Sequence, residues 1–494
     1  MAGASVMVMA PRYGGGRRLV PSNPMAFDWA DSGLDLHLVL DPSRKVASLE
    51  DAVREAIASG RLAPGARLPA SRTLAVDLGI ARNSVAEVYA RLVAEGRLEA
   101  RVGAGTWVAD RPVPMSATDA PVHRSTRFDL DLRGGLPDAS AFPRTAWTAA
   151  TRRALSAAPA AALGYAPTEG VATLRAALAG YLSRTRGVVA KPDDLVVTHG
   201  FGELLGVVAR AIAARGGRRI AVEGYGHASH RDVLVAAGLE LVPLPVDADG
   251  LVTDGPDAAA ADAVLLTPAH QFPTGVPLSA TRRADLVRWA DGSGGLVIED
   301  DYDGEFRFDR RAIGALQALA PGRVVYGGTA SKALSPALGI GWGVIPPAWR
   351  EDVLAERRRS GTATDAITQL TLAALIDSGA YDRTVRTLRL RYRARRERFE
   401  EVMAAGVPGA RVRGLPAGLH CLLELPDGVA EVDVSAAAAA RGLRLDGLAG
   451  YAADPTATRG RPPSMVVGFG APPAHRFEEA LAEVVRAIDA ARRG

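Results

Sequence analysis

From Leu36 onward the chain opens in short helical periods. Val46, Leu49, Val53 and Ile57 recur at the spacing of one apolar helix face, and Gly60 stops the run. After the turn PGARLP, Ser71 is placed as an N-cap ahead of Leu74, Ala75 and Leu78, and Gly79 closes that helix. A third helix follows at once, with Val85, Val88, Tyr89, Leu92 and Val93 inward and Gly96 as its stop. LEARVGAGTWV then reads as strand, Gly-x-Gly turn and strand. Two helices across a tight glycine turn, followed by a hairpin, outline a winged helix-turn-helix.

Beyond residue 127 the texture changes. Apolar runs begin at Leu195 (LVV), Arg219 (RIAVE), Ala263 (AVLLT), Gly295 (GLVIED), Val324 (VVYGGT) and Gly341 (GWGVI), with helical stretches such as 203–214 and 281–291 between several of them. That alternation predicts an α/β unit built on a largely parallel sheet covered on both faces. Four segments follow: a disordered lead over 1–35, the winged helix over 36–110, a polar, proline-bearing linker over 111–127, and the α/β unit over 128–494.

In such folds ligands gather at the carboxyl ends of strands, so the residues just after each run carry the chemistry. Lys332 follows the fifth run and the turn Gly327, Gly328, Thr329 and Ser331, in a chain with few lysines. A lysine desolvated there can form a Schiff base with a carbonyl, the protein's half of pyridoxal phosphate chemistry, and the turn could meet a phosphate. Asp300 ends the fourth run ahead of Asp301 and Tyr302, where a buried carboxylate can keep a pyridinium nitrogen protonated. Gly200, Phe201 and Gly202 open a helix whose N–H groups favour a phosphate. His227 follows the second run, where its ring could stack, and TPAHQFPTGVPLS adds a proline–glycine turn.

Each residue also has a plainer reading: Lys332 a solvated charge, Asp300 a solvated turn, His227 a loop histidine, Cys421 a small core residue. In the winged helix, Arg82, Asn83 and Ser84 start the third helix, where side chains enter a major groove, while Arg72 and Arg101 suit phosphates. Residues 36–110 hold ten Lys/Arg against nine Asp/Glu, so the case for double-stranded DNA rests on placement rather than bulk charge.

Composition narrows the rest. A net charge of +4 over 494 residues points to no polyanion by itself, so a nucleic-acid surface must be local. The single cysteine, Cys421, excludes an intramolecular disulfide, and no metal is expected. The first residues lack the basic lead of a signal peptide, and no run reaches the ~18 apolar residues that span a bilayer; a cytoplasmic protein without membrane partners is expected.

The stretch RLPASRTLAVDLGIARNSVAEVYARLVAEGRLEARVGAGTWV resembles the GntR-type winged helix, with Ala81 where that pattern commonly carries a capping serine. Residues 128–494 resemble a fold-type I aminotransferase, with a smaller C-terminal α/β subdomain, through IEDDYDGEF, HQFPTG and GTASKALSPAL. Joined, the two resemble the MocR/GabR family of pyridoxal-phosphate-dependent transcription regulators. The resemblance implies Lys332 as the Schiff-base lysine, Asp300 on the pyridine nitrogen, Tyr302 near the ring hydroxyl, and Thr329 and Ser331 near the phosphate. It also implies Arg461 as a clamp for an effector carboxylate, in a segment that reads equally as surface loop, and a homodimer whose heads read two half-sites.

Three departures bear on cofactor affinity. Gly339 stands where the family carries a phosphate-binding arginine. Phe201 and Gly202, with Glu203 beside them, replace hydroxyl or glutamine side chains, and Phe272 stands where aminotransferases place an asparagine. The expectation is a regulator that binds pyridoxal phosphate more weakly than its family and senses it, an amine or amino acid, or both. The alternatives are an active aminotransferase with a DNA-binding head, and a regulator that has lost the cofactor and binds another small ligand.

Overall fold

The computed structural model describes residues 44–101, 104–110, 128–308, 313–454 and 460–493, so the expected lead over 1–35 and linker over 111–127 lie outside the described residues. The chain divides into two compact units, Met1–Arg124 and Ser125–Gly494.

In the first unit, helices α1 (Lys45–Ala58), α2 (Ser71–Leu78) and α3 (Arg82–Ala94) pack beside a three-stranded sheet of β1 (Arg67–Leu68), β2 (Leu98–Arg101) and β3 (Gly105–Val108), ordered β1-β3-β2. The apolar positions read from the helical periods converge: Leu49, Val53, Ile57, Leu74, Val85, Val88 and Leu92 are buried with Leu98 and Val108. Each such side chain contributes about 1.5–3 kcal/mol when taken from water. The buried Tyr89 hydroxyl donates to the Pro69 carbonyl at 3.0 Å, tying α3 to the start of α2.

One detail differs from the expectation. Ala70, extended at ψ 140°, is the N-cap of α2, and Ser71 is already its first helical residue. From that position its hydroxyl makes no capping bond to the helix amides. Ala81 caps α3 equally without a side-chain bond, so both helices begin on backbone geometry alone. Arg72, Arg82 and Asn83 are exposed on the first turns of α2 and α3, and Ser84 is half-buried. Arg101 is exposed at the wing, its guanidinium 4.8 Å from the centroid of the Trp107 ring, with Arg67 5.4 Å from the same ring.

The second unit is built on a seven-stranded sheet. Its strands are β4 (Leu195–Thr198), β5 (Arg219–Glu223), β6 (Glu240–Leu244), β7 (Ala263–Leu266), β8 (Leu296–Asp300), β9 (Val324–Thr329) and β10 (Gly341–Val344), ordered β4-β10-β9-β8-β7-β5-β6. All adjacent pairs are parallel except those of β10, which runs antiparallel to β9 and β4. The continuous apolar runs follow from burial on both faces: Leu296 and Ile298 enter one core while Val297 between them enters the other, and Ile220, Ala221 and Val222 divide the same way.

The edge strand β6 was not among the six runs because Pro243 interrupts it; proline, lacking a donor, is tolerated where only one neighbour is paired. Helices include α4 (Arg144–Ala157), α5 (Phe201–Ala214), α6 (Ala228–Ala236), α7 (Ala280–Ser293), α8 (Ala366–Asp377) and α9 (Ala380–Gly406). A four-stranded antiparallel sheet containing His420–Glu424 and Ser464–Gly468, with helices 431–439 and 477–493, forms the smaller C-terminal part.

The connections place the ends of β4, β8 and β9 and the start of β10 together. Register pairs Asp300 with Gly327 and Gly341 with both Thr329 and Thr198. A Cβ at Gly341 would lie 2.7 Å from the Gly200 Cα, so only glycine lets the start of α5 approach the sheet this closely. No helix among the described residues is long and apolar enough to cross a membrane.

Candidate functional site

The site begins with the two groups that end β8 and follow β9. Asp300 is 5% exposed, and its Oδ1 makes no hydrogen bond among the described residues. Burial drives its carboxyl well above the ordinary range, opposed by the positive charge of Lys332 and reinforced by Asp301 and Asp303. Burial likewise lowers the amine of Lys332, opposed by Asp300 and Asp303. That depression increases the free-base fraction, the nucleophilic form of an amine. A Cβ on Gly135 would stand 3.7 Å from Lys332 Nζ and 3.7 Å from the Phe272 ring, so the bare backbone of Gly134 and Gly135 leaves this side open.

Around Asp300, Val222, Glu223, Tyr225, His227, His230, Thr267 and Phe272 line a cavity. The His227 ring lies on that of Phe272 with centroids 3.9 Å apart and planes 14° apart. Burial, with His230 and Lys332 adding to it, pushes the His227 imidazole down to about 3, so at neutral pH it is an uncharged, stackable ring. Burial, with Lys332 and Arg231 adding to it, takes His230 to about 4; its Nδ1, 3.9 Å from Asp300 Oδ2, is therefore no ion-pair partner near neutrality.

Glu223, at the end of β5, accepts from the Thr267 amide and hydroxyl at 3.0 and 2.7 Å, yet burial raises its carboxyl to about 7. His227 also lines a wider cleft of about 720 Å³, bounded by Arg133, Gly134, Glu431, Arg444 and Tyr451. Arg231 fixes that border by donating to the carbonyls of Gly226, Tyr451 and Ala452.

At the other end of the site, Gly200 takes φ +92° and α5 starts at Phe201 and Gly202, leaving the first-turn N–H groups of the helix directed outward from its end. The Phe201 side chain is buried against Gly327 and His230 rather than in the open site. Thr329 Oγ1 donates to Ser331 Oγ at 2.8 Å and in turn accepts from the Ser331 amide. Gly339 is left-handed at φ +54°, and a Cβ there would be 3.9 Å from His199 Nδ1.

Glu203 behaves differently from the unpaired like charge expected beside a phosphate. It turns back to accept from the His199 amide at 2.5 Å and the Thr362 hydroxyl at 2.6 Å, and it pairs with Arg357 at 3.4 Å. Burial opposes its charge, but these partners outweigh it and hold the carboxyl below the ordinary range.

Two expected site residues point elsewhere. The Tyr302 hydroxyl is 3.2 Å from His270 Nδ1 and donates to the His270 carbonyl at 3.1 Å, with burial, Asp303 and Asp300 keeping the phenol far above its ordinary range. Arg461 donates to the Val246 carbonyl and sets its guanidinium 5.3 Å from the Tyr225 ring centroid. Glu223 and His230 were missed by the sequence reading. His230 lies three residues after His227 at the head of α6, a helical spacing that could have paired them.

Residues 45–108 match the model of the bacterial regulatory proteins of the gntR family, and residues 134–445 match that of the class I and II aminotransferases. The chain is 34% identical over 466 residues to the HTH-type pyridoxine biosynthesis transcriptional regulator PdxR of Corynebacterium glutamicum, covering 92% of this chain and 99% of that protein. The chain belongs to the MocR/GabR family of HTH-type transcriptional regulators.

A second family relative, the probable rhizopine catabolism regulatory protein MocR of Rhizobium meliloti, is 32% identical over 73% of this chain and 78% of its own length. The second unit has the aminotransferase fold: the multiple substrate aminotransferase of Thermococcus profundus superposes with a TM-score of 0.66 over 75% of this chain and 93% of its own, at 21% identity. As a family member with a GntR head, the protein is a DNA-binding transcription regulator.

Proposed function

We propose that this regulator holds pyridoxal phosphate at the carboxyl ends of β4, β8 and β9, and that occupancy, with or without an amine or amino acid, sets the affinity of its winged helix for an operator. The observation that carries the reading is Asp300: a buried carboxylate with an unpartnered oxygen, lining the same cavity as His227 and electrostatically coupled to Lys332. Such a group is relieved by a cationic N–H, which a protonated pyridine offers, so the residues fit the cofactor. When bound, pyridoxal phosphate supplies an aldehyde open to primary amines and an electron-withdrawing ring.

Lys332 presents its depressed amine to that aldehyde, Asp300 holds the proton on the ring nitrogen, and neutral His227 stacks. The amides of Phe201 and Gly202, with the hydroxyls of Thr329 and Ser331, receive the phosphate. Tyr302 lies behind Phe272, their rings edge to face at 5.9 Å, and reaches the ring hydroxyl by giving up its bond to His270. Arg461 serves an effector carboxylate on release of the Val246 carbonyl. In the head, Arg82, Asn83 and Ser84 read base edges while Arg72 and Arg101 meet phosphates. Leu155, Leu163, Tyr165 and Ile367, large side chains exposed on or beside α4 and α8, support a homodimer that covers them.

The test pairs two measurements on wild type and Lys332→Ala. Wild type shows the visible absorbance of lysine-bound cofactor and the variant does not. Operator affinity, measured with and without cofactor and a panel of amines, changes in wild type alone. Equal operator affinity in every state refutes sensing, and rapid multiple-turnover keto-acid production moves the assignment to an aminotransferase with a DNA-binding head.

A further inference from the structure

Phe272, whose ring carries His227, also meets the His420 ring at 5.0 Å, and there a second polar cluster is buried. His270 follows β7, Asp303 lies three residues past Asp300, and His420 begins the strand His420–Glu424; they are 2%, 2% and 0% exposed. One ligating atom from each lies within 4.8 Å of the other two. His270 Nδ1, on the ring edge that faces Gly418, is 2.8 Å from Asp303 Oδ2, and His270 Nε2 lies on the opposite edge beside Gly275; the ring nitrogens of His420 make no hydrogen bond of good geometry among the described residues, with the Pro273 backbone as their hydrogen-bonding neighbour. Each ring offers an ion one nitrogen, and an imidazole nitrogen left unpaired in the interior costs on the order of 1–3 kcal/mol. Gly418, at φ +68°, keeps the space clear: a Cβ there would fall 2.2 Å from Asp303 Oδ2 and 2.6 Å from His270 Cε1.

We propose that His270, Asp303 and His420 bind one divalent transition-metal ion of the zinc class. The expectation of no metal rested on the single cysteine, but two imidazoles and a carboxylate are themselves a three-ligand set with a fourth position open. Nitrogen donors favour zinc and its neighbours over magnesium or calcium, which seek oxygen.

Bonds of about 2.0–2.2 Å put tetrahedral ligands roughly 3.4 Å apart, so separations of up to 4.8 Å close by at most about 1.4 Å, while the His270–Asp303 pair, at 2.8 Å, opens by about 0.6 Å. The Tyr302 hydroxyl, 3.2 Å from His270 Nδ1, borders the fourth position. The bound ion thus stiffens the wall that Tyr302 and Phe272 give the neighbouring site, whether or not that site is filled.

Full-length protein stripped with chelator is titrated with zinc chloride in equilibrium dialysis. The expected result is one tightly held ion per chain, weakened at least tenfold in His270→Gln and His420→Gln and retained in His475→Ala, whose histidine is exposed and outside the cluster. Anomalous diffraction at the zinc edge from wild-type crystals decides the matter should the glutamine variants not fold: a peak among the three residues supports the site. No stoichiometric ion in wild type, a peak elsewhere, or full affinity in a folded His420→Gln protein overturns it.

Discussion

Asp300→Asn separates what the carboxylate does with the cofactor from what it does without it. In the cofactor-free protein Asp300 is buried with one oxygen unpartnered, and its folded pKa is raised. A raised carboxyl gives stability that is complete below its unfolded value and is lost as pH rises through its folded value. Asparagine, neutral at every pH, buries no charge and therefore stabilises the cofactor-free protein at the alkaline end, by about 1–3 kcal/mol once its own unpaired amide is set against the spared desolvation of a carboxylate. At roughly 2 °C per kcal/mol that is a rise of a few degrees in Tm.

With cofactor the sign reverses. The variant forfeits a charge-assisted hydrogen bond of about 1.5–3 kcal/mol, weakening pyridoxal phosphate by about 10- to 150-fold. Fluorescence titration gives the Kd, and thermal melts at acid and alkaline pH with and without cofactor give the stability. A variant that binds within about threefold of wild type, below the smallest loss expected from such a bond, refutes the reasoning.

Four other substitutions probe separate parts of the molecule. Glu223→Gln keeps stability that wild type loses between the ordinary carboxyl range near 4.5 and about 7, on the order of 3 kcal/mol by urea denaturation at pH 5 and 8; parallel pH profiles would contradict the raised value. Gly339→Arg costs about 1–2 kcal/mol in the cofactor-free protein, because a side chain must adopt φ +54°, yet retains pyridoxal phosphate about tenfold longer on dialysis by restoring a cation to the phosphate end. Arg82→Ala loses about 1–3 kcal/mol of operator affinity with relaxed sequence preference, while Arg72→Ala lowers the slope of log affinity against log salt by about 1; identical behaviour of the two would show that neither reads a base.

Local pattern carried most of the fold. Helix faces in the head and two-faced strands in the second unit are repeats of 3.6 and continuous apolar runs, and these elements are in place. Lys332 and Asp300 stood out as candidates because Asp300 ends an apolar run and Lys332 comes three residues after another. The rest of the site is not local. Glu223 meets Thr267 across 44 residues, and His420 comes from a different sheet than the neighbouring His270 and Asp303. Arg461 shows the converse: a guanidinium among glycine and prolines is free to turn either way, and its partner, Val246, is 215 residues distant. The capping error at Ser71 is of a third kind, a one-residue shift that propensity does not resolve.

The distribution of charge in the site suits a sensor. On the proposed reading its ring end holds the buried acids Asp300 and Glu223, with Asp303 acting on Asp300 from the neighbouring cluster, whereas its phosphate end has helix amides, two hydroxyls and a left-handed glycine, with Glu203 already committed to Arg357. On the reading proposed above, binding energy comes from relieving Asp300 rather than from neutralising a phosphate. That energy is available only when the ligand carries a cationic ring, so selectivity is retained while total affinity is held down. A ligand held too tightly is present at every concentration the cell reaches and reports nothing, because population shifts require occupancy to vary. Restoring a phosphate cation at Gly339 should therefore tighten the cofactor and at the same time narrow the range over which operator binding responds to it.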